Sequence, residues 1–252
     1  MKIVLPLIVA ASVATPTLAQ SFDDATVVNR RQSVSLDVGL GAAVKPTYPG
    51  SDETDVVPWF ILRNLEINDS TGREQQGFSF APNLGYIGER DEDDDDRLLG
   101  LDDIDPAYEV GVRVSYHSGP MRSYLTLRKG FGGHEGLTGE FGTEYRIDAS
   151  DRLTLWAGLE AGYGDDEFND TYFGISATDA SFSDYSEYSP GGGINSASAK
   201  LEARYDLTPK TALLGEVKYT RIIGDAADSP ITLDEDQPSV RLGIVRKLNF
   251  EF

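Results

Sequence analysis

From residue 33 onward the chain alternates between apolar and polar side chains with a period of two. Val34, Leu36, Val38, Leu40 and Ala42 are separated by Ser33, Ser35, Asp37, Gly39 and Gly41. Tyr108, Val110, Val112, Val114 and Tyr116 oppose Glu109, Gly111, Arg113, Ser115 and His117. Leu137, Phe141, Tyr145 and Ile147 alternate with Thr138, Glu140, Glu144 and Arg146, and Leu153, Leu155, Ala157, Leu159, Ala161 and Tyr163 with Thr154, Trp156, Glu160 and Gly162. Leu201, Ala203, Tyr205 and Leu207 face away from Lys200, Glu202, Arg204 and Asp206, while Leu213, Val217 and Tyr219 oppose Glu216, Lys218 and Thr220. Successive side chains of a strand point to opposite faces, so this period predicts strands with one greasy and one polar face.

Alternation alone does not say which face is inside. In a soluble sandwich the apolar faces pack together; in a membrane barrel they meet lipid and the polar faces line the lumen. The runs last about 10 to 13 residues, the span of a tilted strand crossing a bilayer and well above the usual 5 or 6 of soluble strands. Aromatic residues collect near the predicted strand ends, at Tyr108, Tyr116, Tyr145, Tyr163, Tyr205, Tyr219 and Phe250, where interfacial girdles form. The chain closes on Leu248-Asn249-Phe250-Glu251-Phe252, an alternating strand ending on an aromatic residue. That ending resembles the signal read by the outer-membrane assembly machinery. The class these features predict is all-β: a transmembrane antiparallel up-and-down β-barrel.

Ten strands are predicted, at about residues 32–44, 55–67, 74–87, 106–117, 121–132, 137–147, 152–164, 194–207, 211–223 and 239–252. Short links at 68–72, 118–121, 148–152 and 208–210 alternate with longer, glycine-rich or acidic ones at 46–55, 89–105, 132–136, 164–193 and 224–238. That is the pattern of short periplasmic turns and longer acidic extracellular loops, and an even strand count leaves both termini in the periplasm. The turn at 68–72 is the least patterned, and a further short hairpin there would make twelve strands.

The first residues read differently. Lys2, the apolar run 3–14 and Thr17-Leu18-Ala19 before Gln20 form the charged, greasy and small-residue zones of a secretory signal, with cleavage expected after Ala19. The expected organisation is a signal peptide over 1–19, a periplasmic segment over 20–31 and the barrel over 32–252. The expected location is the outer membrane of a Gram-negative cell.

Composition narrows the chemistry. A formal charge of −20 argues against nucleic-acid binding, which draws on clustered Lys and Arg. The absence of cysteine removes thiolate metal sites, catalytic thiols and disulfides, and His117 and His134 are the only histidines. No cofactor is expected. The polar positions predicted to point inward carry Asp37, Glu109, Arg113, Glu140, Glu144, Arg146, Glu160, Lys200, Glu202, Arg204, Glu216 and Lys218. About ten strands enclose a narrow space, so mixed charges there predict a paired network that fills the lumen, with a narrow solute path as the alternative.

Other candidates carry less. An EF-hand loop starting at Asp91 would want glycine where Asp96 stands and glutamate where Asp102 stands, so the run 91–96 reads as a solvated acidic loop, with no specific metal site. His117 and Ser118 are neighbours on a strand and point to opposite faces, and His134 reads as a solvated loop residue, so no enzyme is expected. Gly191-Gly192-Gly193 lacks a following Lys-Ser/Thr and reads as a flexible tip. In the loop 224–230, Asp225 and Asp228 are suited to Asx turns and Pro230 stiffens the approach to the last strand.

Several segments are similar to a known family. EDDDDRLLGLDDID at 92–105, GGHEG at 132–136, TYFGI at 171–175, YSPGGG at 188–193 and above all GDAADSPI at 224–231, following Tyr219-Thr220-Arg221-Ile222-Ile223, resemble the MipA/OmpV family of outer-membrane proteins. The resemblance runs from about Val38 to the C-terminus, with Gly224, Asp225, Asp228 and Pro230 as its signature loop; residues 63–76 are shorter and more polar than the family pattern. It implies a non-enzymatic barrel acting as a scaffold between a murein transglycosylase and a murein synthase. Its alternatives are a narrow pore or an adhesin linked to envelope stress or antibiotic susceptibility. Lipid and lipopolysaccharide are the expected surroundings.

Overall fold

The structure is a computed structural model that describes residues 32–69 and 77–251; the expected signal peptide and the segment 20–31 lie outside the described residues. Ten strands follow one another: β1 (Gln32–Pro46), β2 (Thr54–Asp69), β3 (Gly77–Ile87), β4 (Ala107–Ser118), β5 (Met121–Gly132), β6 (Leu137–Asp148), β7 (Leu153–Gly164), β8 (Gly193–Thr208), β9 (Thr211–Ile222) and β10 (Asp236–Glu251). Every paired neighbour is antiparallel, and the ladder β1 to β10 joins the first strand to the last, with Leu36 opposite Leu248 and Leu40 opposite Ile244. The order in the curled sheet is β2-β1-β10-β9-β8-β7-β6-β5-β4-β3, which leaves β2 and β3 at its two edges.

The greasy stripe of each strand faces outward. Leu40, Phe60, Phe80, Leu84, Leu159 and Leu242 are each more than half exposed. In water such a surface would drive aggregation; against acyl chains it is the stabilising face. Inside, Asp37, Glu109, Glu144, Glu160, Glu202 and Glu216 are buried. The polarity is inverted relative to a soluble protein, as lipid outside requires.

Above the long-loop end of the barrel, a second and conventional core has formed. Tyr48 from the β1–β2 loop, Leu98, Leu101 and Ile104 from the β3–β4 loop, Phe168, Tyr172, Phe173 and Ile175 from the β7–β8 loop, and Ala226 and Ile231 from the β9–β10 loop pack together with Ile222 of β9. The β7–β8 connection carries two helices that the sequence reading takes as loop, α1 (Asp166–Phe173) and the single turn α2 (Asp179–Phe182). Helix α1 starts because Asp165 caps it, its carboxylate accepting from the Phe168 amide at 2.9 Å. It persists because Phe168, Tyr172 and Phe173 bury in the cap. The glycine tip is not free: Asn169 Nδ2 donates to the Gly191 carbonyl at 2.7 Å, and the Gly192 amide donates to Asp166.

Nor is the acidic run simply solvated. Asp94 accepts from the Asp91 amide at 2.9 Å, Glu92 from the Gly100 amide at 3.1 Å, and Arg97 bridges Asp95 and Asp52 at 2.8 Å each. The Arg97 hydrogen bonds hold the Asp95 carboxyl down at about 2. In the loop 224–230, the turn is closed by the Ala227 and Asp228 amides donating to the Gly224 carbonyl at 2.9 and 3.1 Å, not by Asp225 or Asp228 side chains. Gly224 takes a left-handed φ of 64° that favours glycine. Ser229 Oγ donates to the Phe173 carbonyl at 2.6 Å, which ties this loop to α1, and Thr232 Oγ1 donates to the Ala226 carbonyl at 2.7 Å within the loop.

Candidate functional site: the braced lumen

The inward charges are placed by the even or odd positions of β1 and β4 to β10, and most find a partner on another strand. Asp37 accepts from Arg204 Nη1 at 2.6 Å, and Arg204 Nε also reaches Asp206 at 2.9 Å. Arg113 meets Glu140 at 3.2 Å and Thr126 at 2.8 Å. Lys200 lies 2.5 Å from Glu144 and 3.6 Å from Glu160, and Glu160 is paired with Lys218 and with the Tyr124 hydroxyl. Glu216 faces Arg241 at 3.5 Å. Arg146 pairs with Asp148 at 2.9 Å near the short-turn rim, where both side chains are at least 40% exposed.

Five partners in this network are absent from the sequence reading: Arg63, Arg122, Tyr124, Arg128 and Arg241. Arg63 of β2 reaches Glu202 at 2.8 Å, and Arg122 pairs with Glu144. Arg128 holds Glu109 at 2.8 Å, Glu140 at 2.9 Å and Asn83 at 3.0 Å. The signal was present in β5, where Arg122, Tyr124, Thr126 and Arg128 alternate with Ser123, Leu125 and Leu127. Guanidinium forks suit such sites because one cation can satisfy two carboxylates with directed bonds. Two aromatic contacts add to the bracing: the Arg113 guanidinium lies 4.3 Å and the Lys200 ammonium 4.8 Å from the Tyr124 ring centre.

The lumen wall is not uniformly polar. On β2 the inward side chains include Trp59 and Ile61, and Ile61 packs with Ala212, Leu214 and Val245. Across from them β3 presents Ser79, Ala81, Asn83 and Gly85. A cavity of about 1650 Å³ lies between these walls. Ser79 Oγ is 3.1 Å from His117 Nε2, a hydrogen bond that the pairing of β3 with β4 creates and that linear proximity to Ser118 hides.

His134 occupies the junction of lumen and cap. The sequence reading leaves it in solvent; the structure buries it, with its side chain 0% exposed. The ring makes edge contacts with Phe168 and Tyr172 at centroid distances of 5.0 and 5.7 Å, and Gly130 lies against it because any side chain there would strike the imidazole. Both ring nitrogens and the Tyr172 hydroxyl are buried without a hydrogen bond. Glu109 Oε1 lies 3.7 Å from Nε2, but burial outweighs its attraction and holds the imidazole neutral, its pKa below the ordinary histidine range.

Among solved structures, the fold is similar to an outer-membrane channel of Pseudomonas putida F1, at 12% identity over 90% of this chain and 100% of that one, with a TM-score of 0.46. It is also similar to Ail, the attachment invasion locus protein of Yersinia pestis, at 12% identity over 87% and 99% of the two chains, with a TM-score of 0.29. A de novo designed transmembrane β-barrel matches at 15% identity over 69% and 98%, with a TM-score of 0.31. No curated protein sequence matches the chain. The assignment to the membrane rests on this chain's own strand pairing, its lipid-facing stripe and its charged interior. The family model described as MltA-interacting protein MipA matches residues 38–248, which takes in β2 to β9 whole, most of β1 and β10, and the cap; the chain belongs to the MipA family and is an outer-membrane β-barrel.

Proposed function

We propose that the protein is a non-enzymatic outer-membrane anchor that docks a murein transglycosylase of the MltA kind on its periplasmic side and, through it, a murein synthase. The family description supplies the transglycosylase. The observation that carries the reading is the apolar cap at the outer end: Tyr48, Leu98, Phe168, Tyr172, Phe173 and Ile231 pack above a lumen cross-braced by Arg63–Glu202 and Arg204–Asp37. A barrel capped and braced in this way favours holding something over passing something. The periplasmic turns at 119–120 and 209–210 are too short to supply the roughly 800 Å² per partner of a stable interface. Strand ends and the segment 20–31 therefore contribute. Outer-leaflet lipid and lipopolysaccharide surround the lipid-facing band.

The runner-up, a narrow solute path, is favoured by the volume of the lumen. The two separate in one pair of measurements on refolded protein. Anchoring expects capture of a purified transglycosylase on immobilised barrel and no steady conductance in a planar bilayer. Steady conductance without capture overturns it.

A further inference from the structure

We propose that the lumen opens sideways into the bilayer between β2 and β3, and that this slot admits the acyl chain of a membrane amphiphile. The inference goes beyond the anchoring function and does not depend on it.

The sheet order places β2 and β3 at the two free edges, so among the described residues no ladder closes the cylinder there. Among the described residues, the prolines in the middle of strands stand in these two edges, Pro58 in β2 and Pro82 in β3. A proline inside a ladder must turn its nitrogen away from the paired neighbour. Pro58 is paired with Ala42 of β1 and Pro82 with Val112 of β4, so both nitrogens face the slot. Each edge thus lacks a donor in mid-membrane, where closing the barrel would need one.

The outer end of the slot is fastened by other means. Lys45 of β1 extends its ammonium to the Tyr86 carbonyl at 2.6 Å, and the Gly88 amide donates to the Thr47 carbonyl at 3.0 Å. Tyr86 and Pro82 are an even number of residues apart on β3, so that carbonyl lies on the slot side, and the lysine occupies a position a ladder bond would take. Farther down, Arg63–Glu202 ties β2 to the opposite wall at 2.8 Å. These ties hold β2 without pairing it to β3.

The space between the edges is continuous with the lumen. One cavity of about 1650 Å³ is lined both by lipid-facing Phe60, Leu62, Phe80 and Leu84 and by lumenal Arg113 and Lys200. At this depth the molecules outside are acyl chains, and unpaired backbone is tolerated there only where it lines a cavity. The two walls differ in kind: Trp59 and Ile61 backed by Leu214 and Val245 on one side, Ser79 hydrogen-bonded to His117 and Asn83 bonded to Arg128 on the other. An amphiphile matches that pairing, its chain on the β2 wall and its head among the polar groups. The volume exceeds the 300 to 1,000 Å³ of ordinary small-molecule pockets, leaving room for a chain.

Two tryptophans make the test. Trp59 sits on the slot wall; Trp156 also faces the lumen, from β7, and does not line the cavity. Trp156→Phe and Trp59→Phe proteins, refolded into phosphatidylcholine vesicles with mid-chain bromines, report each ring separately. Surrounding lipid reaches both only through the sheet, whereas a chain in the slot reaches Trp59 alone. The expected result is at least twofold stronger quenching of Trp59 than of Trp156. In the Trp156→Phe background, Pro58→Val with Pro82→Val restores both donors and lowers Trp59 quenching to the Trp156 level. Equal quenching of the two tryptophans, or Trp59 quenching unchanged by the double substitution, overturns the proposal. Transglycosylase capture is read separately, so either idea can fail alone.

Discussion

The lumen and the cap face the same problem of filling an enclosed space, and they solve it with opposite chemistry. In the lumen, Arg128 lies between Glu109 and Glu140 and stability depends on each charge keeping its partner. In the cap, Phe173, Tyr172 and Leu98 are almost wholly buried and stability comes from removing apolar surface from water. The difference follows from what lies outside each region. Lipid already solvates apolar side chains around the barrel, so they gain little by turning inward, and the interior is left to polar groups. The cap stands in water and must hide its own apolar residues.

Substitutions can separate the two regimes. The largest effect is expected from Arg128→Ala, which takes the guanidinium away from buried Glu109 and leaves Glu140 with Arg113, and should cost about 3–5 kcal/mol of barrel stability. Urea unfolding of refolded protein in vesicles reads it, and an unchanged midpoint would mean that the network is not what holds the lumen. Phe173→Ala should cost a comparable or somewhat smaller amount, about 3 kcal/mol, but only in the cap. Protease cutting within 165–192 should rise sharply while the barrel stays folded by heat-modifiable mobility. Simultaneous loss of both would show that cap and barrel unfold as one unit.

The boundary between them has its own pH dependence. Burial lowers the His134 pKa, so the unfolded cap takes a proton near pH 6.5 while the folded cap resists it. Cap stability is therefore complete above about pH 6.5 and declines as the pH falls below it. Hydrogen exchange over α1, corrected for intrinsic rates, should quicken between pH 7.5 and 5.5, and His134→Phe should remove that step. The smallest effect is expected from Tyr172→Phe. Its hydroxyl is buried without a partner, so deletion should leave the cap unchanged or more stable by up to about 1 kcal/mol. A loss of several-fold in exchange protection would reveal a bond to that oxygen.

How far the sequence carries the fold depends on the element. In β4, β6 and β7 the alternation is nearly unbroken, and the structural bounds Ala107–Ser118, Leu137–Asp148 and Leu153–Gly164 lie within a residue of those expected. The charged positions of β8 and β9 were equally legible, because a period of two fixes a face wherever one side is greasy. The charge partners were not. Arg128 and Glu109 are nineteen positions apart and meet only through the register of β4 with β5. The cap was least legible of all, because Leu98, Phe168 and Ile231 are apolar residues scattered among acidic loops that show no local period.

Local alternation, charge and turn spacing alone determined that this chain folds as membrane-spanning strands with a polar interior, because the choice of face is made residue by residue against a uniform solvent. Only the tertiary structure decided which Arg serves which Glu, that His134 is enclosed, that four loops share one core, and that β2 and β3 form the free edges. Each of those depends on groups brought together from distant parts of the chain, and pairing in three dimensions has no signature within a window of ten residues.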